Sequence, residues 1–294
     1  GGTGSTEFAM PIDPDKLLAI RIPDKEQRYS EKDAMLYALG VGLGHDPINE
    51  QQLAFVYEKN LKVLPTFPVV LGFDPFLLRD LGIGINFEMT VHGEEHLVLH
   101  RPLPTSGIIV ARQRFVDVID KGAGKGALLL MERTISDKAT GALLATMRET
   151  VFCRADGGFS GTTRPSPPVH PVPDRAPDIV CDLPTRPDMA LIYRLSADTN
   201  PLHADPEMAR AAGFPRPILH GLGSFGVAAH ALLRSVCDYD PARMRSIGGR
   251  FSAPVFPGET IRTEMWRDGP VVSFRARVLE RDAVAINNGR AEVT

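Results

Sequence analysis

The stretch YRLSADTNPLH, Tyr193–His203, places an aspartate (Asp198), an asparagine (Asn200) and a histidine (His203) close together around a proline. A carboxylate and an imidazole that share one water molecule can move protons on and off it. That is the equipment for adding water to an activated carbon or removing it. Pro201 fixes its own φ and pushes Asn200 out of helical geometry, so ADTNP reads as a turn. LHADPEMARAAG then reads as a short helix behind it. Asp198 and His203 can both project from such a turn toward one cavity. On spacing alone, a helix-capping turn with a solvated histidine is the commoner use of these residues.

A second stretch, PILHGLGSFG (Pro217–Gly226), follows after the short helix and carries glycines at 221, 223 and 226. The first N–H groups of a helix have no intrahelical acceptor and carry partial positive charge. Gly221 lets a ligand oxygen approach that backbone closely. The pair suits an oxygen that turns negative in a transition state. Packing of a helix on a sheet through small residues is the other reading of the same glycines.

Both stretches need elements to hold them. LHGLGSFGVAAHALLRSV (Leu219–Val236) is apolar or small on most faces and predicts a buried helix. TIRTEMW and VVSFRARV, downstream, alternate with period two, and RDGP and LERD supply the turns, so strands follow the helix. The first half echoes this arrangement weakly, with turns at DKGAGKG and SDKATG; its helix is expected in TFPVVLGFDPFLLRDLGI. Between the halves, Arg154–Asp178 holds six prolines and shows no hydrophobic period, the composition of a semi-extended linker. The expected organisation is a first domain over 11–154, a linker over 155–187 and a second domain over 188–294. The opening GGTGSTEFAM (1–10) is expected to be an added linker with Met10 as the native start. A buried helix followed by antiparallel strands, twice, predicts an α+β fold of two antiparallel sheets, each wrapped around a central helix.

The formal net charge of −3 does not suit a protein held to nucleic acid by bulk charge. No apolar run approaches the ~20 residues that span a bilayer, and no membrane partner is expected. Cys153, Cys181 and Cys237 are isolated and odd in number, which predicts neither a disulfide framework nor a cysteine zinc site and favours a reducing compartment. No His, Cys and carboxylate group has metal spacing along the chain, so no metal is expected.

Read together, YRLSADTNPLHADPEMA and GFPRPILHGLGSFG resemble the signature of R-specific (type 2) enoyl-CoA hydratases of the MaoC-like hot-dog superfamily; Ala197 stands where glycine is usual. YSEKDAMLYALGVG, LPTFPVVLG, VHGEEHLVLHRPLP and DVIDKGAG resemble the N-terminal half of the two-domain members, including the hydratase unit of peroxisomal multifunctional enzyme type 2. The resemblance implies a double hot-dog fold. Its first half lacks the D-x-N-P-x-H turn and has opened a tunnel for bulky acyl chains. The implied reaction is reversible hydration of a trans-2-enoyl-CoA to a (3R)-3-hydroxyacyl-CoA. Asp198 and His203 would hold the water, the N–H of Gly221 would stabilise the enolate oxygen, and Asn200 would orient the turn. His92, Gly93 and Lys121 would contact the CoA part, and Phe251 would line the ligand site. No cofactor beyond the substrate's CoA is implied. A homodimer is expected, placed in the cytoplasm of a bacterium or the peroxisome of a eukaryote, although the closing GRAEVT carries no peroxisomal address. The competing readings are a hot-dog acyl-CoA thioesterase and a non-catalytic acyl-CoA-binding subunit.

Overall fold

The structure, a computed structural model, describes residues 11–294, so the expected N-terminal linker lies outside the described residues. After a short helix α1 (Pro14–Leu18) the first half runs β1 (Lys25–Tyr29), α2 (Glu31–Gly40), α3 (Glu50–Leu53), α4 (Leu77–Asp80), β2 (Thr90–Leu99), β3 (Gly107–Asp120), β4 (Ala127–Asp137) and β5 (Leu143–Cys153). The second half repeats the plan: β6 (Ile179–Pro184), α5 (Met189–Tyr193), α6 (Pro206–Ala211), α7 (Gly221–Val236), β7 (Met244–Phe251), β8 (Thr260–Asp268), β9 (Val271–Val278) and β10 (Ala283–Val293).

All ten strands belong to one antiparallel sheet in the order β1-β3-β4-β5-β2-β7-β10-β9-β8-β6. Each half contributes five strands in the same internal order, and the halves join where β2 pairs β7, from Glu94 opposite Arg250 to Val98 opposite Ser246. The two expected sheets are therefore two halves of a continuous one, and the double hot-dog architecture holds.

The halves differ in what covers the inner face. In the second half it is α7, sixteen residues and buried over nearly its whole length. Burying one Leu or Phe of that helix contributes about 1.5–3 kcal/mol. Gly226 is required by close approach: a Cβ there would lie 2.5 Å from Val41 Cγ1. In the first half the expected helix does not form. Of TFPVVLGFDPFLLRDLGI only a 3-10 turn, Phe67–Val70, and the four-residue α4 are helical. The prolines at 68 and 75 and the left-handed Gly72 break the run. The first-half helix that does form is α2, which starts on a capping box between Ser30 and Asp33 and packs on α5.

The expected linker over 155–187 contains at its far end the strand β6, Ile179–Pro184, paired with β8. Its alternation of polar and apolar residues is obscured by the prolines on either side. The preceding segment is tied down. The carboxylate of Asp120 accepts hydrogen bonds from the backbone N–H groups of Gly122, Gly158 and Ser160, and Arg164 pairs with Asp117 through both terminal nitrogens. The three cysteines are buried and free. No helix among the described residues is long and apolar enough to cross a membrane.

Candidate active site

The sequence folds ADTNPLH into two nested turns. Asp198 Oδ1 accepts the N–H of Asn200, and Asn200 Oδ1 accepts the N–H of Leu202. Asn200 is extended (φ −56°, ψ 124°), as a residue before proline must be. A single 3-10 turn, Pro201–His203, then swings the imidazole back over the carboxylate. Asn200 thus shapes the turn through its own side-chain oxygen.

His203 is buried, and its Nδ1 lies 2.9 Å from the carbonyl oxygen of Ile218. That oxygen can only accept, so Nδ1 carries the proton and Nε2 presents its lone pair. Nε2 stands 3.9 Å from Asp198 Oδ2. The gap is too long for a direct hydrogen bond and of the size that one water oxygen bridges. Burial holds the His203 imidazole below its ordinary value, against the pull of Asp198 and Ile218. The neutral base is the resting form.

His220, the residue before Gly221 at the mouth of α7, stacks on His203 with ring centroids 3.7 Å apart and 25° between planes. Its Nε2 lies 3.2 Å from the backbone oxygen of Asp198, and its Nδ1 is buried without a partner among the described residues. Burial, reinforced by His203, pushes it down to about 2, so it is a neutral floor for the His203 ring. Asp198, His203 and His220 offer three ligand-type atoms within 4.8 Å of one another, as do His92, Glu95 and Glu149. The fold thus creates groupings that sequence spacing did not reveal. In the first, the two rings are stacked face to face, so their in-plane lone pairs run side by side and do not converge on one ion.

Gly221 begins α7, and among the described residues its N–H has no protein acceptor. The ring of Phe251 is the nearest surface to it: a Cβ at Gly221 would touch Phe251 at 3.4 Å. Phe251 in turn meets His92 edge-on at 5.0 Å. These residues line a single cavity of about 470 Å³ that both halves enclose, with Phe73, Leu77, Phe87 and Met131 from the first and Ala197, Ile218 and Leu222 from the second.

The structure brings Asp198, Asn200, His203, Gly221, His92 and Phe251 to this cavity. It does not bring Gly93 or Lys121 there. Gly93 is the extra residue of a bulge in β2, between His92 opposite Val151 and Glu94 opposite Thr150. Such a bulge re-aims the neighbouring side chain, and here it turns His92 inward. Lys121 lies in the turn after β3, its Nζ 3.4 Å from the carbonyl of Arg164 in the linker. His96 and His100 are exposed, and His230 is buried on the hydroxyl of Tyr239.

Sequence reasoning passed over four more cavity residues: Tyr193, Gln113, Arg133 and Glu149. The signal was present as polar residues at inward positions of alternating strands, Met131–Arg133–Ile135 and Met147–Glu149–Val151.

Comparison with known proteins gives matches over nearly the whole chain. Residues 168–288 match the MaoC like domain, and residues 27–155 match the MFE-2 hydratase 2 N-terminal domain. The peroxisomal enoyl-CoA hydratase 2 of Arabidopsis thaliana is 39% identical, covering 97% of this chain and 95% of its own length. The 3-hydroxyacyl-thioester dehydratase Y of Mycobacterium tuberculosis is 39% identical, covering 96% of this chain and 99% of its own. A crystal structure of a MaoC-like dehydratase from Phytophthora capsici superposes with a TM-score of 0.83 at 35% identity, covering 95% of this chain and 98% of that one.

Proposed function

This chain belongs to the MaoC-like enoyl-CoA hydratase 2 family and is a hydro-lyase acting on enoyl-CoA thioesters, and from that premise we propose how its own residues carry the reaction. The observation that supports the reading is the 3.9 Å gap between a neutral Nε2 and a carboxylate oxygen at the wall of a largely apolar cavity. A water held in that gap lies between Asp198 and His203. Nε2 of His203 takes one proton as the water oxygen bonds to C3, and the π electrons of the double bond move toward the thioester. The negative charge arriving on the thioester oxygen is met by the N–H of Gly221 and the positive end of α7. A proton from the Asp198–His203 pair then goes to C2, which closes the balance. In the dehydration direction the same groups act in reverse.

The product is the (3R)-3-hydroxyacyl-CoA, set by presentation of the water from one face only. No cofactor takes part beyond the CoA of the substrate, so a chelator leaves the rate unchanged. Asp198→Asn and His203→Gln each lower kcat for hydration of crotonyl-CoA by about 10²–10⁴. Wild-type rates in both variants, or an (S) product on chiral analysis, would overturn this reading.

Among the described residues the ten-stranded sheet ends at the edge strands β1 and β6, and an unpaired edge is a place where another chain can pair. Two copies are therefore expected to associate, and light scattering at working concentration gives the mass that decides. In a eukaryote the place of action is the peroxisome, where the plant relative's name puts that protein.

A further inference from the structure

The sequence puts a histidine where a helix ordinarily has a cap. Ser, Thr, Asp or Asn in the place before a helix accepts one of its free N–H groups. His220 holds that place before α7, at φ −56° and ψ 139°, and its side chain makes no cap hydrogen bond. The helix mouth is left open, and the ring, 2% exposed, reaches the Asp198 turn instead.

Two separable contacts result. Nε2 of His220 lies 3.2 Å from the backbone oxygen of Asp198. A carbonyl only accepts, so Nε2 carries the proton and donates it. Asp198 is then held at its carbonyl by His220 and at Oδ1 by the N–H of Asn200, which leaves Oδ2 to face Nε2 of His203. The second contact is through the ring, which stacks on His203 at 3.7 Å and packs against Tyr193 at 4.6 Å. Nδ1 has no partner among the described residues, so a second proton placed there would have no acceptor. The ring therefore stays neutral, and the nearby Arg194 guanidinium favours the same state. The titratable or charged groups around the two rings are Asp198 on the turn and Tyr193 and Arg194 at the end of α5. Arg216, in the segment that carries Ile218, is engaged by the carbonyl of Pro257, and the first turn of α7 has no charged residue. His92 and Glu149 line the same cavity.

We propose that His220 is a positioning residue for the hydration, one side chain that ties the Asp198 carboxylate, the His203 imidazole and the first N–H of α7 into a fixed frame. Its N–H holds the turn that aims the carboxylate. Its ring face keeps water off one side of His203 and fixes the plane of that imidazole. Its backbone runs directly into Gly221, so the ring that is anchored on the turn also anchors the start of α7. A misplacement of about 1 Å in such a frame can cost about 10²-fold in rate. The inference rests on the hydratase reading above and deepens it by adding a residue that moves no proton.

The test uses the full chain and crotonyl-CoA, with kcat, KM and the pH profile of kcat/KM measured for each protein. His220→Gln keeps an N–H donor for the Asp198 carbonyl and removes the ring. His220→Phe keeps a ring on His203 and removes the donor. Both should lower kcat by about 10–10², with KM within a few-fold of wild type. The pH profiles should separate the two. The Gln variant lets water reach His203, so its acid limb should move up toward the ordinary imidazole value of about 6.5. The Phe variant keeps His203 buried and should keep the wild-type limb. A folded Gln variant with an unmoved limb, or a folded Phe variant with wild-type kcat, would overturn the proposal. Variants that lose only thermal midpoint and keep kcat would assign His220 a structural part and overturn it too. A crystal structure of the wild type needs no variant to fold: it should show the stacked rings and Nε2 on the Asp198 carbonyl, and parted rings or an Nε2 turned away would sink the idea. A wild type unable to hydrate crotonyl-CoA would instead remove the hydratase reading, and this one with it.

Discussion

Gly221→Pro isolates the contribution of one backbone N–H. Proline at the first position of a helix is tolerated, because the N–H it lacks has no intrahelical acceptor. The preceding residue must be extended, and His220 already sits at φ −56°, ψ 139°. The added Cβ meets only the edge of Phe251, at 3.4–3.6 Å, which is ordinary contact. Gly221→Ala therefore carries the steric change and keeps the N–H, whereas Gly221→Pro loses it. Removing one oxyanion donor costs about 3–4 kcal/mol, which is about 10²–10³ in kcat. Steady-state hydration of crotonyl-CoA, followed by loss of absorbance of the enoyl thioester, should show the alanine variant within about tenfold of wild type. The proline variant should lie a further factor of about 10²–10³ lower, with a thermal midpoint close to that of the alanine variant. A folded proline variant with kcat within a few-fold of the alanine variant would refute the assignment of the Gly221 N–H to the thioester oxygen.

Because burial depresses His203, its neutral base form persists below the ordinary imidazole value of about 6.5, so the acid limb of kcat/KM should fall below that pH; a limb centred at pH 7 or above contradicts a buried neutral base. Gly226→Val should lower stability by about 1–3 kcal/mol through overpacking against Val41 and Tyr37, seen as a reduced midpoint in calorimetry, and an unchanged midpoint would mean that α7 and the first half pack more loosely than the geometry shows. Asp120 is held well below the carboxylate range: burial opposes ionisation, but the backbone N–H groups of Gly158, Ser160 and Gly122 and the Ser160 hydroxyl outweigh it. Its contribution is thus complete above the unfolded value of about 3.9 and is lost as the pH falls toward the folded one. Asp120→Asn should lower the midpoint at pH 7 and should flatten its dependence between about pH 4 and pH 2; an unaltered slope there would rule out Asp120 as the group that docks the linker.

What was legible in the sequence follows from range. The Asp198 turn is local: Pro201, the two side-chain oxygens and the short 3-10 turn act within six residues, so the constellation could be read from spacing and proline chemistry. The buried α7 was legible because its apolar residues cover all faces. The stacking of His220 on His203 was not, since it depends on the pinning of Leu219 N–H to the carbonyl of Val255 and of His203 to Ile218, contacts between segments far apart. The bulge at Gly93 was not legible for a similar reason. A bulge is a mismatch between two strands, and only the pairing of β2 with β5 exposes it. The first-half helix was placed by hydrophobicity in a run that its own prolines and left-handed glycine interrupt.

That interruption accounts for the asymmetry on which the function depends. Two halves with the same strand order would, if both kept a central helix, fill both inner faces and leave no room for a substrate. In the first half no long central helix fills the inner face, which is packed by the Phe67–Val70 turn and the short α1 and α4, and the cavity left beside Phe73, Met131 and Arg133 reaches the mouth of α7, where Gly221 and the Asp198 turn lie. In the proposed reaction α7 supplies the N–H and the partial positive charge, and the lack of a matching long helix on the first-half inner face supplies the volume. The proposed chemistry needs both halves: the second has the Asp198–His203 pair with its inner face filled by α7, and the first supplies much of the cavity wall without such a pair. The seam between β2 and β7 fixes one against the other, with Phe251 at the end of β7 and His92 at the start of β2 meeting edge to face across it.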